Sequence, residues 1–169
     1  MKKLNFIIKC GLALLLLSFY SCESWLNVTP SDRLSEEMLF NDREGFVKAL
    51  NGVYIELNTN ELYGRNLTAG ALDVMGQYYS VASSSHAFYN YGGLVYTGND
   101  EKALFDNMWQ KCYAVIACCN TIIEKCDENK AGLSPVWKGA IKGEALALRA
   151  MLHFDMLRLF GPLTSELDK

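Results

Sequence analysis

The chain has 169 residues, half of them apolar, and a formal charge of −3. That apolar content excludes a disordered chain, and the length suits one domain with a sizeable core. The acidic balance argues against a nucleic-acid partner.

The chain opens MKKLNFIIKCGLALLLLSFYSC. Lys2 and Lys3 form a basic start, an apolar run covers 11–17, and small Ser21 precedes Cys22, so 1–21 reads as an export signal. The run is too short to span a bilayer, which takes about 20 apolar residues. A signal that ends in a small residue before Cys resembles a bacterial lipobox, with Cys22 as the lipidated, palmitate-bearing N-terminus. Such an anchor holds a chain on a membrane without spanning it. Loss of Lys2, Lys3 and Lys9, with no acid, would take the net charge from −3 to −6. That leaves the acyl chains rather than charge as the membrane contact.

Residues 22–34 read as a tether with turn residues Asn27, Pro30, Ser31 and Asp32, leading to a short helix near 35–40. A first long helix is expected from Asn41 or Asp42. Phe46, Leu50, Val53, Tyr54 and Leu57 give it one apolar stripe, and Asn58, Asn60 and Gly64 end it. A second helix is expected over 67–79. Residues 80–98 then lose periodicity and hold three consecutive serines, three glycines and Phe88, Tyr89, Tyr91 and Tyr96. A loop of this length in a compact domain is usually functional or disordered.

A third helix is expected over about 100–128, with Phe105, Met108, Trp109, Cys112, Ile116, Cys119 and Ile123 as its stripe and Asn120 bonding across to a neighbour. Cys112, Cys119 and Cys126 are seven apart and share one face. Seven helical residues rise about 10.5 Å, too far for a disulfide within the helix. No zinc spacing is present, so the cysteines read as small buried apolar groups and no metal or other cofactor is expected. Ser134-Pro135 opens a fourth helix as N-cap and first position, and Gly161-Pro162 ends it. Third and fourth helices form an antiparallel hairpin. The fold class is therefore all-α, built of helix pairs like a tetratricopeptide-type solenoid, with a long aromatic and polar loop near 80–98.

The fourth helix carries Glu144, Arg149, His153, Asp155 and Arg158 among apolar neighbours. His153 and Asp155, two apart, point to different sides, as do Glu144 and Arg149, five apart, so catalytic pairing is not expected. If the helix is sandwiched between two others, its charges must be paired. Glu144 and Arg149 are expected to bond to adjacent helices and fix register.

The segment 143–162, GEALALRAMLHFDMLRLFGP, resembles the signature helix of the SusD/RagB family of outer-membrane nutrient-binding lipoproteins. The matching residues are Gly143-Glu144, Leu148-Arg149-Ala150, Phe154-Asp155, Arg158 and Phe160-Gly161-Pro162. Trp25-Leu26-Asn27 with Pro30, Ala49-Leu50-Asn51 with Tyr54, and the ladder Trp109, Tyr113, Ile116, Asn120 resemble further family marks in the same order. The resemblance implies a surface glycan-binding protein, not an enzyme, that hands oligosaccharide or another nutrient to a SusC-like TonB-dependent transporter. It makes Glu144, Arg149 and Asp155 structural signature residues. Family members run to several hundred residues, so 35–169 is expected to be an incomplete N-terminal SusD-like domain. A truncated helical-repeat scaffold or remnant with a protein-interaction role only is the alternative. For ligand contacts the sequence offers Asp73, Tyr78, Tyr79, Tyr89, Tyr91 and Asn99, with His86 and Asn90 nearby. These aromatics either present faces to sugar or pack the loop onto the helices.

Overall fold

A computed structural model describes residues 36–162. The expected signal, Cys22 and the tether lie outside the described residues. Among the described residues six helices follow in order: α1 Glu36–Leu39, α2 Arg43–Leu57, α3 Ala71–Met75, α4 Tyr89–Gly92, α5 Asn99–Glu128 and α6 Pro135–Phe160. Among the described residues there is no strand, so the fold is all-α as the periodicity indicated.

Local chemistry sets the helix ends. The Asp42 carboxylate accepts from the Gly45 backbone N–H at 2.8 Å and caps α2. Gly45 also lets the end of α1 approach, since a Cβ there would stand 1.5 Å from the Leu39 carbonyl oxygen. Between α5 and α6, Asn129 adopts the left-handed conformation, φ 49°. Its side chain accepts from Leu133 N–H at 2.7 Å and donates to the Leu133 carbonyl at 3.2 Å, which folds the turn. Ser134 caps α6 and Pro135 takes its first position, as the sequence indicated.

α5 and α6 form the antiparallel hairpin, and α2 packs across both. Their buried faces meet in one core. Phe46, Leu50, Val53 and Leu57 enter from α2, Met108, Cys112, Cys119 and Cys126 from α5, and Ile141, Ala145, Leu148 and Leu152 from α6. The Cys112 thiol donates to the Leu152 carbonyl oxygen at 3.8 Å. Lys142 clamps the turn end of the hairpin, with its ammonium 2.6 and 2.7 Å from the two Asp127 oxygens.

Three expectations are corrected. The α5 seam runs through Val115 and Ile122 rather than Trp109, which is 43% exposed. Trp109 lies at the edge of the buried stripe, where its ring packs on Tyr113 at 4.7 Å and Phe160 at 5.0 Å. Tyr54, placed in the α2 stripe, is 45% exposed. The second helix shrinks from 67–79 to Ala71–Met75. Wide turns replace its first residues: Gly70 N–H donates to Arg65 C=O at 2.8 Å and Leu72 N–H to Asn66 C=O at 3.1 Å. It ends where Gln77 turns to φ 63° and Tyr78 N–H reaches back to Asp73 C=O at 2.9 Å.

The charges of α6 are likewise not sandwiched. Its buried residues form a single stripe, Ile141, Ala145, Leu148, Leu152 and Met156. Glu144 is exposed, and Arg149 and Asp155 are half-buried at the helix flanks. Each nevertheless meets another element. Tyr54 O–H donates to Glu144 at 2.6 Å, Arg149 donates to Asn120 Oδ1 at 2.8 Å, and Tyr63 O–H donates to Asp155. Among the described residues no helix is long and apolar enough to cross a membrane.

Candidate functional site

The loop after α3 folds around α4, a single helical turn. Tyr91 is its pin: 1% exposed, it packs with Ala71 and Val74 of α3. Its ring lies 5.8 Å from Phe88, 6.3 Å from Tyr96 and 5.9 Å from Phe105, centroid to centroid. Burial first, then the acids Glu101 and Asp100, push the Tyr91 phenol up to about 12. Tyr91 is thus chiefly a packing residue, and what little of it is exposed borders the larger of the two grooves beside α4.

Two polar bonds hold the rest of the loop. Asn90 Nδ2 donates to Glu101 Oε1 at 2.7 Å, which ties α4 to the first turn of α5. That bond, with a backbone donor, holds the Glu101 carboxyl below its usual range. Gly98 makes room for this carboxylate, because a Cβ there would stand 2.0 Å from Glu101 Oε2. Gln77 Nε2 donates to the Gly92 carbonyl at 2.8 Å and joins the end of α3 to the end of α4.

These ties leave a groove on each side of α4. The first, of about 430 Å³, is lined by Gln77, Tyr79, Ser80, Tyr89, Asn90 and Val95 among others. Tyr79 is 49% and Tyr89 43% exposed, so both offer ring surface beside amides and a hydroxyl. The Tyr79 O–H donates to Asp73 Oδ2 at 3.2 Å, which fixes the ring and raises its phenol above the usual range. No carboxylate, imidazole or thiol lines this groove. The second, of about 660 Å³, is charged, with Arg65, His86, Asp100 and Glu101 on its walls. Arg65 stacks over Phe88 at 5.6 Å, and His86 Nδ1 accepts from the Phe88 backbone N–H at 3.1 Å.

Of the candidate contacts, Tyr79 and Tyr89 meet in the first groove and Asp73 supports it from behind. Tyr78 is 79% exposed, and neither it nor Asn99 at the start of α5 lines either groove. Gln77 lines the groove without having been singled out from the sequence. Its place depends on a positive φ that no local motif announces.

An all-α hairpin scaffold with an aromatic, amide-rich groove on one loop has the form of a binding module. The profile of a family described as starch-binding and associating with the outer membrane matches residues 24–168, and the chain belongs to this SusD-like family. Membership places it at the cell outer membrane. It is similar to SusD-like protein P2 of Formosa agariphila, 26% identical over 166 residues. The match takes in 95% of this chain and 30% of that protein, so the chain spans less than a third of its curated relative's length. No solved structure matches it.

Proposed function

We propose that the chain is the N-terminal helical part of a surface-exposed lipoprotein that captures oligosaccharide for an outer-membrane uptake complex. In this reading 1–21 is the export signal, Cys22 carries the lipid, 22–34 is a tether and 35–169 holds the helical domain. A SusC-like TonB-dependent transporter is the partner that receives the glycan. The supporting observation is the groove beside α4, where Tyr79 and Tyr89 offer ring faces next to Gln77 and Asn90. Sugar rings stack on such faces while amides bond their hydroxyls, and a lining without acid or base fits capture without bond cleavage. Family membership agrees with the ligand class.

Retention on insoluble starch and related polysaccharides tests the reading. The mature chain should be retained and the Tyr79→Ala/Tyr89→Ala variant should wash through with an unchanged melting temperature. Equal retention of both would place binding elsewhere. No retention on any glycan would favour the second reading, a helical-repeat scaffold or remnant that serves protein contacts only. The intact mass of protein from native outer membranes tests the anchor, since acylation should disappear in Cys22→Ala.

A further inference from the structure

The charged groove beside α4, of about 660 Å³, has the size of a small-molecule site, about 300–1,000 Å³. Its charges are unequally matched. The Glu101 carboxylate already accepts from Asn90 Nδ2 at 2.7 Å and from a backbone donor. Asp100 stands in the first turn of α5, where the positive end of the helix favours an acid. Arg65 has no such counterpart. Its Nε donates to Asn66 Oδ1 at 3.2 Å, and its guanidinium lies over the Phe88 ring at 5.6 Å. The two terminal nitrogens make no hydrogen bond or ion pair among the described residues. Glu61 senses the charge only after its own backbone donor, Thr59 and Lys111. The unmatched charge of this groove is therefore a cation.

That cation is braced. The Arg65 carbonyl accepts from Gly70 N–H at 2.8 Å, and Asn66, which takes Nε, is 4% exposed. The outer edge of the guanidinium remains, and a planar fork takes a carboxylate or sulfate through two parallel bonds. His86 adds a donor. Its Nδ1 accepts from Phe88 N–H at 3.1 Å, so the neutral ring carries its proton on Nε2. A bare inorganic anion would meet repulsion from Asp100 and Glu101 on the same walls. An acidic sugar would not, because its hydroxyls donate to those carboxylates while its anionic group meets Arg65. Tyr89 and Asn90 line this groove and the neutral one alike, so α4 is a crossing point between them. We propose that the charged groove is an acidic-sugar subsite, in which Arg65 holds the carboxylate or sulfate of one unit while the oligosaccharide crosses α4 over Tyr89 and Asn90 towards Tyr79. The inference rests on the glycan reading and gives that ligand a charge.

Glycan pairs that differ only in charge test it. Polygalacturonate is set against its carboxyl-reduced form, and a sulfated galactan against its desulfated form, by calorimetry on the mature chain, with inorganic sulfate alone as a fifth titrant. Wild type should bind at least one charged glycan about tenfold more tightly than its neutral twin, and the preferred pair tells carboxylate from sulfate. Arg65→Gln should bind both twins alike with an unchanged melting temperature. Arg65→Lys should keep part of the preference, because the charge stays and the fork is lost. Equal binding of both twins by wild type, abolished in Tyr79→Ala/Tyr89→Ala, would overturn the acidic subsite and leave the glycan reading standing. A preference that survives in Arg65→Gln would overturn the role of Arg65. Inorganic sulfate bound as tightly as the sulfated galactan would overturn the sugar and leave a simple anion site. Binding of none of the four glycans would overturn the inference alone if starch is still retained, and the glycan reading with it if starch is not.

Discussion

The Tyr63 hydroxyl donates to the Asp155 carboxylate, joining the turn after α2 to the C-terminal part of α6 across 92 residues of sequence. Asp155 also accepts from Arg158 at 3.1 Å, so the carboxylate bridges the loop and its own helix. A partly buried bond to a charged acceptor contributes about 1.5 kcal/mol. Tyr63→Phe should lower unfolding free energy by about that much in urea titration; an unchanged midpoint and slope would remove this tie from the account. Burial first, then Asp155, hold the Tyr63 phenol far above the ordinary tyrosine range. A raised value means the stability it carries is complete below about pH 10. It is lost as pH rises further, because the unfolded chain ionises first. Wild type should therefore lose more stability than Tyr63→Phe above that point.

Glu101 gives the opposite sign. Its carboxyl is held below the usual range by Asn90, so its contribution is present above about pH 4.3 and is lost as acid protonates the folded state. The α4 loop should loosen before the hairpin melts. Protection factors at Tyr91 and Gly92, taken relative to the intrinsic rate at each pH, should fall on acidification in wild type. Asn90→Ala should already show low protection at neutral pH, and identical profiles for the two proteins would refute the tie.

The thiols should divide into two groups. Cys118 is exposed, whereas Cys112, Cys119 and Cys126 are buried, and burial pushes the Cys112 thiol up to about 11. In the described part of the folded chain, maleimide should modify Cys118 within minutes and the other three only after denaturation. Rapid native labelling at Cys112 would contradict the packing of α5 on α6.

Two neighbouring tyrosines should behave differently. Tyr89→Ala should leave thermal unfolding unchanged, because its ring is 43% exposed. Tyr91→Ala empties the centre of the aromatic cluster and should cost about 3–5 kcal/mol of local stability, the scale for deleting a large buried ring. Exchange protection of 77–96 reads both, and equal protection in the two variants would sink the distinction.

Arg149→Ala is expected to be milder than the sequence pattern suggests. That pattern placed the side chain in a dry sandwich, where removing it would leave buried groups unpaired. Its bond to Asn120 lies instead at a flank of the hairpin open to solvent. A loss of about 1 kcal/mol is the scale for such a bond. Aggregation of the variant at low temperature would point to a heavier role.

The hairpin was legible because its signals are local: Ser134-Pro135 and Gly161-Pro162 mark both ends of α6, and the seven-residue cysteine spacing marks the inner face of α5. The α3 region was not. Leu67 and Tyr79 keep a plausible helical period, but carbonyls of Arg65 and Asn66 capture the backbone donors in wider turns. Nor does composition separate Tyr89 from Tyr91, two residues apart on one turn. Which ring goes inward depends on Ala71, Val74 and Phe105, set elsewhere in the chain. The groove was visible only as a region rich in the right groups, and its floor required tertiary pairing.

The rings do not stop at the loop. From Tyr91 and Tyr96 the contacts pass to Phe105, from Phe105 to Phe160 at 6.2 Å, and from Phe160 to Trp109 at 5.0 Å. Trp109 therefore sits within radiationless transfer range of the loop tyrosines, near the open end of the hairpin and outside the groove. Light absorbed by tyrosine should emerge as indole emission, and a saccharide that shifts α4 would change that yield without touching the indole. The chain carries its own optical gauge of loop position, readable without a label.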